Sequence, residues 1–245
     1  MRANLSTRLT IERVLPYNRG DLVKAHNKKR PAAELVSELT TNRLSVYLRC
    51  LDHLAAGGTR TVSSQSLADQ FRLNAAQIRK DLAWFGEFGV RGVGYSVAGL
   101  AAHLRQILGL GDPINVGVIG AGNLGQALAD YPVFPRHGFI PVALFDRAAG
   151  KVGTTSRGGV PILHIRRLSA VVRRKAIRIA MIAVPASAAQ QVAALAVDAG
   201  LKAILNFAPS AVTVPAGVKV KNVDLTISLE GLAFHLANTV HGQTK

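Results

Sequence analysis

Residues 114–125 read INVGVIGAGNLG, an apolar run followed by three glycines with the spacing of a dinucleotide-binding turn. Gly120 permits the tight turn after the strand, and Gly122 lets a pyrophosphate approach the backbone. Gly125 allows the following helix to pack closely, and the amino end of that helix offers free amides to phosphate charge. The stretch therefore predicts the strand, turn and helix that open a Rossmann-type nucleotide domain.

A second apolar run, IPVALFD, ends at Asp146, which follows Gly125 by 21 residues. An acid at about this distance accepts hydrogen bonds from the ribose hydroxyls of a dinucleotide. Arg147 beside it could accommodate a 2′-phosphate, whereas the acid should repel one. The pair favours NAD(H) over NADP(H) without excluding either.

Beyond residue 113, apolar runs alternate with helical patterns. The predicted strands cover 114–120, 140–146, 160–163, 177–185, 203–208 and 218–225, and the predicted helices cover 123–131, 165–175 and 187–199. This alternation predicts an α/β fold of right-handed βαβ units with a mostly parallel sheet. A last apolar helix is expected from Ile227 to about Val240.

The preceding segment has the order helix, helix, turn, helix, β-ribbon, which is typical of a winged helix-turn-helix. Its predicted helices start near 42, 65 and 75, its glycine-rich ribbon spans 89–97, and a helix at 98–108 leads to a linker at 109–113. Ser63 or Ser64 is a candidate N-cap of the second helix.

The third helix has the composition of a recognition helix. Ala75, Ala76, Arg79 and Lys80 could share an exposed face, while Ile78 packs inward. Small residues allow entry into a major groove, and cations can meet bases or phosphates there. We therefore predict DNA binding by this segment.

Composition supports an anionic partner but does not locate it. The net charge is +16, of which residues 1–40 carry +4, residues 41–112 carry +3 and residues 113–245 carry +9. The basic cluster at 26–31 predicts a flexible, basic extension. Since no apolar stretch approaches the roughly 20 residues of a membrane span and no secretory signal is evident, we expect a cytoplasmic protein.

Catalytic and metal-binding patterns are scarce. The single cysteine, Cys50, lies in an apolar helical pattern and is interpreted as a buried hydrophobe. No HxxxH pair, GxSxG motif or phosphate-binding loop of the GxxxxGK type occurs, so we predict neither an enzyme nor a metal site. His137 and His164 flank the nucleotide domain and are candidate proton donors, but they are interpreted as ordinary surface histidines.

From about residue 44 to 240 the chain closely resembles the Rex family of redox-sensing transcriptional repressors. The resemblance rests on YLRCL, VSSQSLA, QIRKDLAWFGEFGVRGVGY, VGVIGAGNLGQALADY, ILNFAPSAVTVP and VDLTISLEGLAF. It implies a homodimer with an N-terminal winged helix, a C-terminal Rossmann domain and a last helix that swaps onto the partner. Such a dimer binds palindromic operator DNA and is released when NADH binds, thereby reading the ratio of NADH to NAD⁺.

The resemblance also assigns residues. Together with the composition of the two domains, it gives cofactor-binding candidates at Gly120, Gly122, Asn123, Leu124, Gly125, Asp146, Arg147, Lys151, Val184, Pro185, Phe207, Ala208 and Pro209. The DNA-binding candidates are Arg60, Ser63, Ser64, Gln65, Ala75, Gln77, Arg79, Lys80, Arg91, Gly92 and Tyr95. The family resemblance implies that Arg49, Tyr131 and Asp224 couple the two domains.

The corresponding domains are an extension at 1–41, a winged helix and linker at 42–112, a Rossmann domain at 113–226, and a swapped helix and tail at 227–245. The chain departs from the family where Asp-x-Asp-Pro is frequent, since it has Asp146-Arg147-Ala148-Ala149. Three rival functions remain: a nicotinamide-dependent oxidoreductase, a coenzyme A-binding module, and an architectural DNA binder without a ligand.

Overall fold

The computed structural model describes residues 36–241, with side chains described as far as residue 238. The basic cluster at 26–31 and the rest of residues 1–35 lie outside this range, as does the tail from 242. The described chain forms two compact units that divide after Ala101, within helix α4. The predicted winged helix and its linker extend from residue 42 to 112.

The first unit is a winged helix-turn-helix. Its elements are α1 (Glu38–Ala56), β1 (Thr61–Val62), α2 (Ser64–Phe71), α3 (Ala75–Phe85), β2 (Gly89–Val90), β3 (Gly94–Ser96) and the start of α4 (Val97–Ile107). The three strands pair antiparallel in the order β1-β3-β2. β1 was not predicted, because two residues are too few to display an alternating pattern.

Local signals fix the ends of these helices. Ser37 caps α1 by accepting a hydrogen bond from the Thr40 amide, so α1 begins four residues earlier than the predicted start at Asn42. Ser63 caps α2 through the Ser66 amide at 2.9 Å, and Asn74 caps α3 through the Gln77 amide at 2.9 Å. Arg72 ends α2 in a left-handed conformation. The turn at residues 72–74 therefore sets the angle between α2 and α3.

The second unit contains a six-stranded parallel sheet in the order β6-β5-β4-β7-β8-β9. Its strands are β4 (Ile114–Ile119), β5 (Phe139–Asp146), β6 (Ile162–His164), β7 (Ile177–Ile182), β8 (Ala203–Asn206) and β9 (Lys219–Asn222). Its helices after α4 are α5 (Asn123–Ala129), α6 (Val133–Arg136), α7 (Leu168–Arg174), α8 (Ala186–Asp198) and α9 (Leu225–His241). The predicted α/β fold with a parallel sheet is confirmed.

Both faces of the sheet are buried. Phe145 and Ile182 pack with α7 and α8 on one face, while Val118 and Leu144 pack with α5 on the other. Strands β4 and β7 are central and nearly continuous in apolar residues, as expected for a sheet covered on both sides. The predicted helix at 165–175 is divided into a 3₁₀ turn (Ile165–Arg167) and α7. α6 was missed, because its four residues carry no helical period.

Helix α9 differs from every other long helix in its exposure. Its large apolar side chains are 61–74% exposed in the isolated chain; they are Leu225, Ile227, Leu229, Leu232, Phe234 and Leu236. Asp224 begins this helix, since its Oδ1 accepts the Thr226 amide at 2.8 Å. Within the described residues, no helix is long and apolar enough to cross a membrane.

Candidate nucleotide and DNA-binding sites

The glycine turn follows β4 at the carboxyl edge of the sheet. Gly120 has a φ of +105°, and a Cβ there would lie 2.3 Å from the Ala183 carbonyl oxygen. A Cβ on Gly125 would lie 1.7 Å from the Gly120 carbonyl oxygen, whereas one on Gly122 would meet nothing within 4 Å. Only glycine fits at 120 and 125, and the space beside Gly122 is open.

The amino end of α5 faces this opening without a side-chain cap. Gly122 is the N-cap residue and makes no capping side-chain hydrogen bond. Asn123 and Leu124 begin the helix and are exposed. Amides in a first helical turn have no partner within the helix, so they are suited to bind an anion.

Asp146, the last residue of β5, holds the turn in place. Its Oδ2 accepts the Ala121 amide at 2.9 Å, and its Oδ1 accepts the Ala148 amide at 2.9 Å. The Lys151 ammonium lies 3.7 Å from Oδ2. Burial opposes ionisation, but the Ala148 and Ala121 amides and Lys151 outweigh it and lower the pKa of the Asp146 carboxyl. The group is therefore an anion with lone pairs remaining for further donors.

Two further loops lie at the same edge. Val184 and Pro185 follow β7, and residues 207–209 follow β8. The Ala183 amide bonds to the Ile119 carbonyl at 2.8 Å, and the Phe207 amide bonds to the Ile182 carbonyl at 2.9 Å. These bonds continue the strand pairing beyond the sheet and bring the predicted nicotinamide residues beside the glycine turn.

The sequence analysis missed Asn206, which fixes the loop after β8. Asn206 is fully buried. Its Nδ2 donates to the Ser210 carbonyl at 2.8 Å and to the Asn222 Oδ1 at 2.9 Å, while its Oδ1 accepts the Ala208 amide at 3.0 Å. An asparagine at a strand end is a usable signal for the local bonds to Ala208 and Ser210, whereas the bond to Asn222 depends on the pairing of β8 with β9.

In the first unit, the exposed face of α3 lies beside the wing formed by β2 and β3. Arg79 and Lys80 are exposed, and the Arg79 Nη1 donates to the Ser64 Oγ at 2.8 Å. A cavity of about 510 Å³ separates α3 from the wing and is lined by Ser63, Ser64, Arg79 and Tyr95, among others. Six of the predicted DNA-binding residues thus share one surface depression: Ser63, Ser64, Arg79 and Tyr95, with Arg91 and Gly92 at the wing tip.

The other five predicted DNA-binding residues do not line this depression. Arg60, Gln65 and Lys80 are exposed, whereas Ala75 and Gln77 are half-buried. The Gln65 Nε2 donates to the Asp69 Oδ1 at 2.8 Å. Gln77 has an internal partner, because its Nε2 donates to the Asp81 Oδ1 at 2.8 Å.

Asp81 is the residue of α3 that the sequence analysis overlooked. It is 4% exposed and receives the Arg43 Nε at 2.6 Å, the Arg43 Nη2 at 2.8 Å and the Tyr47 hydroxyl at 2.9 Å. Burial opposes the charge, but the hydrogen bonds from Arg43, Gln77 and Tyr47 lower the pKa of Asp81. This cluster of Arg43, Tyr47, Gln77 and Asp81 fastens α3 to α1.

The three predicted coupling residues have these positions. Arg49 is exposed on α1, and Tyr131 is exposed two residues after α5, with its ring 5.0 Å from that of Phe134. Asp224 caps α9 rather than ending β9. Cys50 is buried, as predicted, and burial raises the pKa of its thiol, so it is an unreactive core residue.

A winged helix followed in the chain by a Rossmann-type sheet defines the class of DNA-binding proteins that carry a nucleotide-binding domain. Two family models match the chain in the same order. Residues 35–83 match the family model described as a putative DNA-binding protein N-terminus. Residues 112–210 match the model of the CoA binding domain.

The chain is similar over most of its length to curated redox-sensing transcriptional repressors named Rex. It is 48% identical to that of Desulforamulus reducens, covering 82% of this chain and 96% of the relative, and 43% identical to that of Streptomyces coelicolor, covering 84% and 80%. The chain belongs to the Rex family of redox-sensing transcriptional repressors.

Solved structures agree with this assignment. The Rex-family repressor RSP in complex with β-NAD⁺ and operator DNA matches with 36% identity and a TM-score of 0.78, covering 86% of this chain and 99% of that one. RSP in complex with β-NADH matches with 35% identity and a TM-score of 0.75 over the same shares.

Proposed function

We propose that this protein binds a palindromic operator as a homodimer, and that NADH binding at the carboxyl edge of the sheet releases the DNA. The observation that carries this proposal is the open space beside Gly122, bordered by uncapped amides of α5 and by the ionised Asp146. That space and the uncapped amides suit the pyrophosphate of a dinucleotide, and the ionised Asp146 suits its ribose hydroxyls.

The residues at this edge fit NAD(H) in three parts. The backbone of residues 120–125 would hold the pyrophosphate, because its approach at Gly122 is unobstructed. Asp146 and its neighbours Arg147 and Lys151 would bind the adenosine ribose. The loops at 184–185 and 207–209 would contact the nicotinamide, which supplies the redox-dependent difference when it is bound.

Discrimination between NADH and NAD⁺ has to arise at the nicotinamide end. Both forms share the adenosine and pyrophosphate, so contacts near Gly122 and Asp146 cannot distinguish them. Val184 and Phe207 are half-buried apolar residues beside the buried Ala208. A neutral dihydropyridine suits such an environment better than a charged pyridinium does, because burying an unpaired charge costs free energy.

DNA binding is assigned to the depression between α3 and the wing. Ala75, Arg79 and Lys80 would enter the major groove, since small residues allow close approach and cations meet bases or phosphates. Arg91 and Gly92 at the wing tip, with Tyr95, would reach the adjacent backbone. The residues at the start of α2 and before it would bind phosphates; they are Arg60, Ser63, Ser64 and Gln65. Gln77 would act partly by holding Asp81.

Exposure of α9 supports the homodimer. A contiguous set of large apolar side chains at 61–74% exposure is unusual in a monomer and marks an interaction surface. We assign residues 42–112 to DNA binding, 113–226 to NAD(H), and 227–245 to exchange of α9 with a partner. Arg49, Tyr131 and Asp224 would couple the units, and the cytoplasm would be the site of action.

The test is operator binding measured by fluorescence anisotropy, with an operator selected by the protein from random duplexes. NADH should raise the Kd of the operator at least tenfold, and NAD⁺ should raise it far less. Lys80→Ala should weaken operator binding, and Lys202→Ala, at an exposed lysine before β8, should not. Equal responses to NADH and NAD⁺ would refute redox sensing.

Coenzyme A is a second candidate ligand, because residues 112–210 match a CoA binding domain. A competition experiment separates the two. If the edge binds NAD(H), coenzyme A at a large excess should not displace NADH from the protein. If coenzyme A displaces NADH at a concentration comparable to that of NADH, the ligand of this site is coenzyme A.

A further inference from the structure

We propose that the adenosine end of this site also accepts a 2′-phosphate, so that NADPH binds at the same edge as NADH. This inference rests on the proposed nucleotide function and extends it to a second class of dinucleotide. It names Arg147 as the residue that would recognise the added phosphate. The ordinary expectation is different, because an acid at the end of the second strand repels a 2′-phosphate.

The first observation is the balance of charge after β5. Asp146 is followed by Arg147 and Lys151, and residues 147–197 contain no acidic residue. The segment 146–151 therefore carries two cations and one anion. A dianionic 2′-phosphate would meet a net positive local charge instead of the acidic one that excludes it elsewhere.

The second observation is that Asp146 is already occupied. Both of its carboxylate oxygens accept backbone amides, from Ala121 and Ala148 at 2.9 Å each. Lys151 lies 3.7 Å from Oδ2 and offsets the charge. The Asp146 side chain is only 14% exposed, so most of its carboxylate faces the glycine turn and not the solvent. Asp146 remains an acceptor for ribose hydroxyls, but its repulsion of a phosphate is reduced.

The third observation concerns Arg147. It directly follows the strand end and is exposed, as is Ala148. A guanidinium binds a phosphate through two parallel hydrogen bonds, which a lysine cannot match. Its side chain can therefore approach a group bound over the end of β5 without displacing any contact that Asp146 makes.

The experiment is a fluorescence titration of the full chain with NADH and with NADPH. We expect the Kd of NADPH to lie within about tenfold of that of NADH. Two competitors, one with and one without a 2′-phosphate, test its contribution to binding. We expect 2′,5′-ADP to displace NADH at a lower concentration than 5′-ADP does. NADPH should also release the selected operator in the anisotropy assay.

Three single substitutions test whether Arg147 is the residue that binds the 2′-phosphate. Arg147→Ala should raise the Kd of NADPH about tenfold more than it raises the Kd of NADH, because only NADPH carries the 2′-phosphate. Ala148→Asp, which adds an acid at an exposed position, should act in the same direction. Arg174→Ala makes the same chemical change as Arg147→Ala at an exposed position before β7, at the opposite edge of the sheet, and should change neither Kd.

The outcomes separate the two proposals. If neither dinucleotide binds, the proposed nucleotide function itself is wrong. If NADH binds and NADPH binds more than about tenfold more weakly, or if Arg147→Ala changes both affinities equally, the 2′-phosphate inference fails while the nucleotide function stands.

Discussion

Asp81→Ala tests whether the buried cluster beneath the recognition helix stabilises the DNA-binding unit. The substitution removes an acceptor that is 4% exposed and holds Arg43, Tyr47 and Gln77 through four hydrogen bonds of 2.6–2.9 Å. Arg43, Tyr47 and Gln77 each lose the acceptor that Asp81 provides. The cost differs among them, because a donor that water can reach is rehydrated and a buried donor is not.

The magnitude follows from those differences. Tyr47 is 2% exposed, so its hydroxyl becomes a buried unsatisfied group, which costs about 1–3 kcal/mol. Breaking a fully buried ion pair costs about 3–5 kcal/mol, but the Arg43 side chain is 35% exposed and can be rehydrated. We therefore expect the free energy of unfolding of the first unit to fall by about 3 kcal/mol, toward the middle of these ranges.

Trp84 provides the assay. It is the single tryptophan of the chain and lies on α3, so its fluorescence, followed together with far-UV circular dichroism, reports on this unit during a urea titration. Asp69→Ala is the matched control, because Asp69 is an exposed acid that binds Gln65 on α2. A loss for Asp81→Ala below about 1 kcal/mol, or no greater than that of the control, would refute the reasoning.

The stabilisation should also depend on pH in a defined direction. The pKa of Asp81 is lowered in the folded protein. Its contribution is therefore present above the ordinary aspartate value, about 3.9, and is lost as the pH falls below that value. The stability difference between wild type and Asp81→Ala should be constant from about pH 5 to 8 and should shrink below about pH 4.

Further predictions concern the nucleotide turn, the DNA contacts and the last helix. Gly125→Ala places a Cβ 1.7 Å from the Gly120 oxygen, so calorimetry should find NADH binding weakened at least about a hundredfold, while operator binding persists and no longer responds to NADH. Lys80→Ala should reduce the slope of log Kobs against log salt by about two per dimer, one phosphate contact per subunit; an unchanged slope would remove Lys80 from the interface. Phe234→Asp, at a side chain that is 74% exposed, should shift the protein from dimer to monomer in sedimentation, and an unchanged dimer would contradict the role of α9. Since the pKa of Asp146 is lowered, the affinity for NADH should stay constant down to about pH 5; a decline centred near pH 6 would contradict an ionised Asp146.

Much of the fold could be predicted because its signals are local. The glycines at 120–125 follow a strand and precede a helix, and this order is characteristic of one type of turn. The strands β4, β5 and β7 are apolar runs long enough to be recognised without their neighbours. Caps such as Ser63 and Asn74 lie next to the helices they begin, so the helix-turn-helix boundaries were also accessible.

The rest depends on contacts between residues far apart in the sequence. Asp81 lies in the run RKDL, which has the composition of an exposed charged face, and only the fold brings Arg43 and Tyr47 to it. The hydrogen bond from the Ala121 amide to Asp146 and the one between Asn206 and Asn222 join residues in or next to different strands and depend on the fold in the same way. Short elements such as β1 and α6 were missed because two to four residues do not establish a period.

Coupling between the two sites carries an energetic requirement. Reversing a population from 99:1 in favour of the DNA-binding state requires about 5.5 kcal/mol of differential binding by NADH. The coupling is reciprocal, so operator DNA must weaken NADH binding by the same factor by which NADH weakens operator binding.

Release of DNA by NADH is tested most directly by the Kd of NADH, measured by its fluorescence with and without a saturating concentration of the selected operator. The operator should raise this Kd by the same factor by which NADH raises the Kd of the operator. An NADH affinity that is unchanged by the operator would contradict the claim that this protein releases DNA by binding NADH.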